Sequence, residues 1–277
     1  MKQDLSFRRR MIVNNIMVPA LVIFSIIGRW PFTILVGLVL CGAAWELWRL
    51  LKTGGYTPSL PIMLLFVGSS AVLRYLFEYR FSGLWLVLLI LVAMFTHTIV
   101  YQNGNSRAAV DFMATVGSSV YLGWLGSYAI SIRSLPDGYL WLLLIFPIIS
   151  FADAWAYIFG RLFGKHKMIP LVSPKKSWEG YLGGVVMGTL GGWGLAALWH
   201  IKAASILPVF GLVIGFVISA LAPFGDFGES MIKRQFNVKD SSHLLLDHGG
   251  LLDRMDSSLW AAPIGFYLIL ILTGAGI

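Results

Sequence analysis

The chain reads as an all-α, polytopic integral membrane protein of about nine transmembrane helices with a cytoplasmic N-terminus. Three observations carry that reading. Hydrophobic residues make up 57% and charged residues 12% of the 277, and mean hydropathy is +0.78, far outside the range of soluble domains. Apolar runs of near-spanning length recur from end to end. Lys and Arg alternate with those runs in the way the positive-inside rule requires.

Taken in order, the runs fall at about 11–29, 31–51, 58–77, 83–102, 108–132, 138–160, 180–200, 203–224 and 257–276. Turn-forming residues separate them: Trp30-Pro31, Gly54-Gly55, Asn103-Gly104-Asn105 and Pro136-Asp137-Gly138. Charged stretches follow residues 160 and 224. Trp30, Tyr101, Trp141, Trp199 and Trp260 suit interfacial belts. With the N-terminus inside, only Arg29, Arg74, Arg80, Arg133 and Lys202 fall in outer segments, and the other sixteen of 21 Lys and Arg are cytoplasmic. Adding or deleting one span would destroy this agreement. Arg8-Arg9-Arg10 resembles the start of a secretory signal, but no small-residue cleavage site follows, so the first run reads as a retained span. The expectation is one membrane domain over 1–277: N-terminal helices over 1–135 and chemistry-bearing motifs over 150–260.

The net charge of +8 is explained by the loop bias, and no nucleic-acid partner is expected. The single cysteine, Cys41, lies inside an apolar run, so neither a disulfide framework nor a Cys-based metal site is available. The glycines at 183, 184, 188, 191 and 192 suit close helix packing.

Chemistry concentrates in Gly225–Asp256, which holds six of the thirteen acidic residues. Asp226 and Glu229 are spaced i,i+3 and Lys233 follows Glu229 at i,i+4, so a helix would put all three on one face. Asp253 and Asp256 repeat the i,i+3 spacing at the start of the last run. Two helix ends bearing paired carboxylates suit a hard cation, which takes oxygen ligands. A solvated loop with incidental ion pairs accounts for the same composition. His248-Gly249-Gly250 adds a turn whose backbone N–H groups, before a helix N-terminus, would suit an anion.

A second constellation is Ser173-Pro174-Lys175-Lys176-Ser177-Trp178-Glu179-Gly180. Ser173 as N-cap and Pro174 in the first turn would open a helix, with the lysines beside its donor end for a phosphate-rich ligand. Attraction to anionic lipid explains the same lysines. Asp153, in FADAWAYIFGRLFG, is an acid in or near a span, and such residues mark function. A salt-bridged structural acid is the rival reading. Glu46 and Asp111 also fall in spans, near cytoplasmic ends where snorkelling or local pairing would explain them.

Ser230 to Asp256, S-M-I-K-R-x4-K-D-S-S-x2-L and then H-G-G-L-L-D-R-M-D, resembles the signature of the phosphatidate cytidylyltransferases, or CDP-diacylglycerol synthases. Gly225-Asp226, Ser173 to Gly180, and Asp153 with Tyr157 and Gly160-Arg161 resemble family patterns in the same order, so the motifs cover about 150–260. The resemblance implies transfer of CMP from CTP to phosphatidic acid, giving CDP-diacylglycerol and pyrophosphate, at a bacterial cytoplasmic membrane with the site facing the cytoplasm. It implies a Mg²⁺ centre on Asp226, Asp253 and Asp256, with Glu229 a weaker candidate and a second cation such as K⁺ beside it. Lys233, Arg234, Lys239 and Arg254 would neutralise phosphates. Ser173, Lys175, Lys176 and Ser177 would hold nucleotide or lipid phosphate, and His248, Gly249 and Gly250 would shape the phosphate loop. Asp153 and Asp240 are expected in the site, and a homodimer is the assembly left open.

One departure stands out: where the family pattern has Pro or Gly and then Gly before HGG, this chain has Leu246 and Asp247. A divergent paralogue of altered specificity, or a non-catalytic binder of CTP or lipid, is therefore an alternative, and an ion-coupled transporter is a further rival. A CDP-alcohol phosphotransferase fails on the spacing of its aspartates.

Overall fold

The computed structural model describes residues 19–78, 80–242 and 249–274. Residues 19–27 are helical, and Gly28 (φ 65°) and Arg29 (φ 51°) break them from α1, Arg29–Thr53. The remaining elements are α2 Leu60–Phe77, α3 Ser82–Gln102, α4 Ala108–Ser119, a π-helical turn Val120–Trp124, α5 Tyr128–Ser134, α6 Gly138–Phe163, the strands β1 Lys167–Ile169 and β2 Ser173–Ser177, α7 Trp178–His200, α8 Pro208–Leu221, α9 Pro223–Gln235 and α10 Leu252–Thr273.

Seven helical stretches among the described residues are long and apolar enough to cross a bilayer: α1, α2, α3, α6, α7, the α8–α9 pair and α10. The protein is an all-α integral membrane protein with one small two-stranded antiparallel sheet, β1 with β2. Most of the first expected run lies outside the described residues. The expected span at 108–132 is instead broken into α4, the π-turn and α5. A π-turn adds a residue to the helical repeat, and Ser118, Ser119, Ser127 and Ser131 are all buried there. Ser119 donates to the Thr115 carbonyl at 2.7 Å, a back-bond of the kind that bends helices.

Two compact units divide the chain: Met1–Ser134 with Gln235–Met255, and Leu135–Arg234 with Asp256–Ile277. In the first, α1 lies on α2, and α4 packs against α2 and α3. Asp111 at the start of α4 is buried and accepts bonds from the Thr57 backbone N–H (2.7 Å), the Thr57 hydroxyl (2.5 Å) and Asn105 (3.0 Å). Local pairing, as expected, explains this acid. In the second unit α6, α7 and α8 form a tight layer. A Cβ on Gly188 would collide with Ser219, and one on Gly192 with the Gly211 carbonyl. These glycines are therefore the close-approach points of α7 on α8.

Candidate active site

In the second unit the polar residues gather where α6, β2, α9 and α10 carry them. Gly225 sets the arrangement: a Cβ there would collide with the Asp256 carbonyl, so only glycine lets the α9 backbone touch α10. The next residue, Asp226, thereby stands beside the turn bearing Asp256. Lys176 of β2 pairs with Asp226 Oδ2, and its ammonium sits 4.4 Å from the Phe227 ring centroid. Ser230, one turn on, donates to Asp226 Oδ1 at 3.1 Å. The Ser257 N–H donates to Asp256 Oδ1 at 2.6 Å. Asp226, Asp153 and Lys233 all act electrostatically on Asp256, and Lys176 and Asp226 act on Asp153. Three carboxylates and two ammonium groups thus share one polar region.

Glu229, 1% exposed in its side chain, has the Lys233 ammonium 3.3 Å away. The expected single face of Asp226, Glu229 and Lys233 on α9 is present. Glu229 faces inward as the partner of Lys233, while Asp226 and Asp256 are half-buried.

The Ser173–Gly180 segment differs from expectation. Ser173–Ser177 is a strand, not a helix start, and Ser177 is the N-cap of α7, accepting from the Gly180 N–H at 3.3 Å. The reason is local. Pro174, having no N–H, is tolerated in a short edge strand, and the hairpin is tied to α7 by Glu179, which accepts from the N–H groups of Lys165 (3.1 Å) and His166 (3.2 Å). Extended geometry turns alternate residues to one side, so Lys176 reaches Asp226 while Lys175 is exposed. Arg234 donates to the Val172 carbonyl at 3.4 Å, beside this hairpin. Ser173 is half-buried, and Arg161 and Tyr157 are exposed.

The first unit holds a second polar nucleus, centred on a residue the sequence reading set aside. Glu46 is fully buried and accepts four hydrogen bonds: from the hydroxyls of Ser241 (3.1 Å) and Ser242 (2.5 Å) and the N–H groups of Leu251 (3.0 Å) and Leu252 (2.9 Å). Asp253 Oδ2 accepts from the Ser241 N–H (3.0 Å), the Ser241 hydroxyl (2.8 Å) and the Gly250 N–H (2.7 Å). Gly249 takes φ +77°, and a Cβ on Gly250 would collide with Ser241 and Glu46. The glycine pair is required, and the N–H groups at the start of α10 hold the chain's own carboxylates. Lys239, Asp240 and Arg254 are exposed. His248, with Leu246 and Asp247, lies outside the described residues.

Among the described residues no three His, Cys, Asp or Glu side chains form a ready-made metal cage. Mg²⁺ is commonly held by one or two carboxylates, its shell completed by water and substrate phosphate. Asp226 and Asp256, adjacent, half-buried and supplying only oxygen, fit that demand.

Fold and site together define a membrane enzyme scaffold that gathers carboxylates and lysines on helix ends. A family model described as the cytidylyltransferase family matches residues 8–272, and the chain belongs to that family. The phosphatidate cytidylyltransferase of Bacillus subtilis is 32% identical over 254 residues, covering 88% of this chain and 90% of that protein. Proteins of the same name from Synechocystis (30% identity; 89% and 91% coverage) and Mycobacterium leprae (29%; 83% and 77%) are similar over comparable lengths.

Proposed function

We propose that the protein transfers CMP from CTP to phosphatidic acid, forming CDP-diacylglycerol and pyrophosphate. The observation that carries the proposal is the Lys176–Asp226–Ser230 chain beside Asp256 at the Gly225 contact. In the reaction a phosphate oxygen of phosphatidic acid attacks the α-phosphorus of CTP. The new P–O bond forms as the bond to the β-phosphate breaks, and pyrophosphate leaves with that electron pair. The attacking group belongs to the lipid, so the protein need supply no nucleophile. Its task is to bring two polyanions together and to stabilise charge in the transition state.

Asp226 and Asp256 would hold Mg²⁺, and Asp253, one turn before Asp256 on α10, is the third carboxylate expected from the family motif, with K⁺ as a second cation. Bound there, Mg²⁺ would neutralise phosphate oxygens and activate the leaving group. Lys176 keeps Asp226 oriented and offers a cation to nucleotide phosphate. Lys233, Arg234, Lys175 and Arg254 are assigned to the remaining phosphate charge, with Lys239 and Asp240 on the same polar segment. Asp153 supplies a further carboxylate beside Lys176. The Glu46 nucleus ties Ser241 and Ser242 to the start of α10.

The concentration of Lys and Arg in the segments after residues 160 and 224 supports nine spans with the N-terminus inside. It also supports a cytoplasmic site, and the bacterial relatives suit a bacterial inner membrane. Purified protein in detergent, given CTP, Mg²⁺ and phosphatidic acid, should release pyrophosphate in proportion to lipid. Release with diacylglycerol in place of phosphatidic acid, or with ATP as well as with CTP, would sink the assignment.

A further inference from the structure

Within the first unit, at the far end of α2 from Glu46, a buried arginine lines a pocket with its two terminal nitrogens unpaired among the described residues. Arg74 is 3% exposed and lies about 21 Å along the axis from the start of α2 at 1.5 Å per residue. Its Nε donates to the Ser127 hydroxyl at 3.2 Å, and its guanidinium lies over the rings of Tyr128 (4.0 Å) and Trp124 (5.3 Å). Both terminal nitrogens are buried and meet no hydrogen-bond partner among the described residues. Arg74 lines an open-sided pocket together with Ser70, Phe77, Phe81, Ser82 and Trp85. Glu78 lines the same cavity but makes no ion pair with Arg74.

The aromatic faces satisfy the guanidinium's π-surface but not its in-plane donors. Burying such donors unused costs free energy, and a fork of parallel N–H groups matches an oxyanion edge. The enclosed part of the cavity has room for about one water-sized group. The ligand must therefore present one oxygen edge from outside. The exposed part of the lining is apolar: Phe77 and Phe81 are 44% and 47% exposed.

We infer that Arg74 is the anchor of a phosphate-binding site for the headgroup of an anionic phospholipid, whose chains lie along Phe77 and Phe81. The site is separate from the proposed chemistry and does not depend on it. Free inorganic phosphate has the same chemistry and is the other source to distinguish.

The test is thermal unfolding of the full chain in detergent, titrated with phosphatidylglycerol, phosphatidylcholine or inorganic phosphate, for wild type and Arg74→Gln. At a hundredfold excess over Kd the wild-type Tm should rise saturably by about 5–10 °C for a chain this size, and Arg74→Gln should lose that rise. A response to phosphatidylglycerol alone identifies the lipid. An equal response to inorganic phosphate that Arg74→Gln also loses keeps the site and assigns it to the free anion. If Arg74→Gln does not fold, Arg74→Lys keeps the charge without the fork and should need about tenfold more ligand for half-saturation. No response in wild type to either phosphate source, an equal response in Arg74→Gln, or unchanged half-saturation in Arg74→Lys would each overturn the inference.

Discussion

Glu46→Gln is the substitution whose consequence can be worked most fully. The Glu46 carboxylate is 0% exposed and each oxygen accepts two donors: Oε1 from Ser242 and the Leu251 N–H, Oε2 from Ser241 and the Leu252 N–H. Glutamine keeps the shape but turns one acceptor oxygen into an NH2 group, which cannot accept from either donor it meets. Two hydrogen bonds to a charged group are lost, each worth about 1.5–3 kcal/mol. Either hydroxyl can rotate away, whereas the backbone N–H cannot, so we expect a net loss of about 3 kcal/mol. For a chain of this size that lowers Tm by about 6–12 °C. The same bonds tie Ser241 and Ser242 to the start of α10, so pyrophosphate release should fall by at least tenfold. Differential scanning fluorimetry and a coupled pyrophosphate assay, both in detergent, read the two effects. A Glu46→Gln protein with Tm within 2 °C of wild type and turnover within twofold would refute the argument that Glu46 holds Ser241 and Ser242 against the start of α10.

The other predictions concern the second unit. Gly225→Ala puts a methyl group against the Asp256 carbonyl, so it should cost about 1–3 kcal/mol by overpacking and reduce kcat by tenfold or more; a variant as active as wild type would show that the α9–α10 approach is not needed. Lys176→Met removes the partner of Asp226 and should raise the CTP concentration for half-maximal rate by about tenfold or more, read from initial rates at saturating lipid. Ser177→Ala removes the α7 N-cap and should lower stability by about 1 kcal/mol, a Tm shift of about 2–4 °C. Chelation by EDTA should stop pyrophosphate release, and excess Mg²⁺ should restore it.

Much of the helical layout was legible because a span of about 20 apolar residues admits few other structures. Six expected runs became single helices, and the one at 203–224 became the α8–α9 pair. The 108–132 run is helical along most of its length, but hydropathy does not register the back-bonding serines and π-turn that interrupt it. The β hairpin was illegible for a related reason: Ser-Pro reads equally well as a helix start or an edge strand, and tertiary contacts to Glu179 decide. The one-face geometry of Asp226, Glu229 and Lys233 followed from spacing alone. Glu46 did not, because its partners lie about 200 residues away in sequence and no periodicity on its own helix points to them. Its one signal was a carboxylate flanked by Trp45 and Leu47 with no basic residue one turn before it.

Transfer of label from CTP to lipid tests the central claim most directly. With phosphatidic acid and Mg²⁺, α-³²P-CTP should place label in the organic phase as CDP-diacylglycerol, γ-³²P-CTP should leave all label in water as pyrophosphate, and Asp256→Asn should abolish both products. Label in the lipid from the γ-phosphate, or wild-type protein inert with CTP and phosphatidic acid while Asp256→Asn is equally folded, would contradict it.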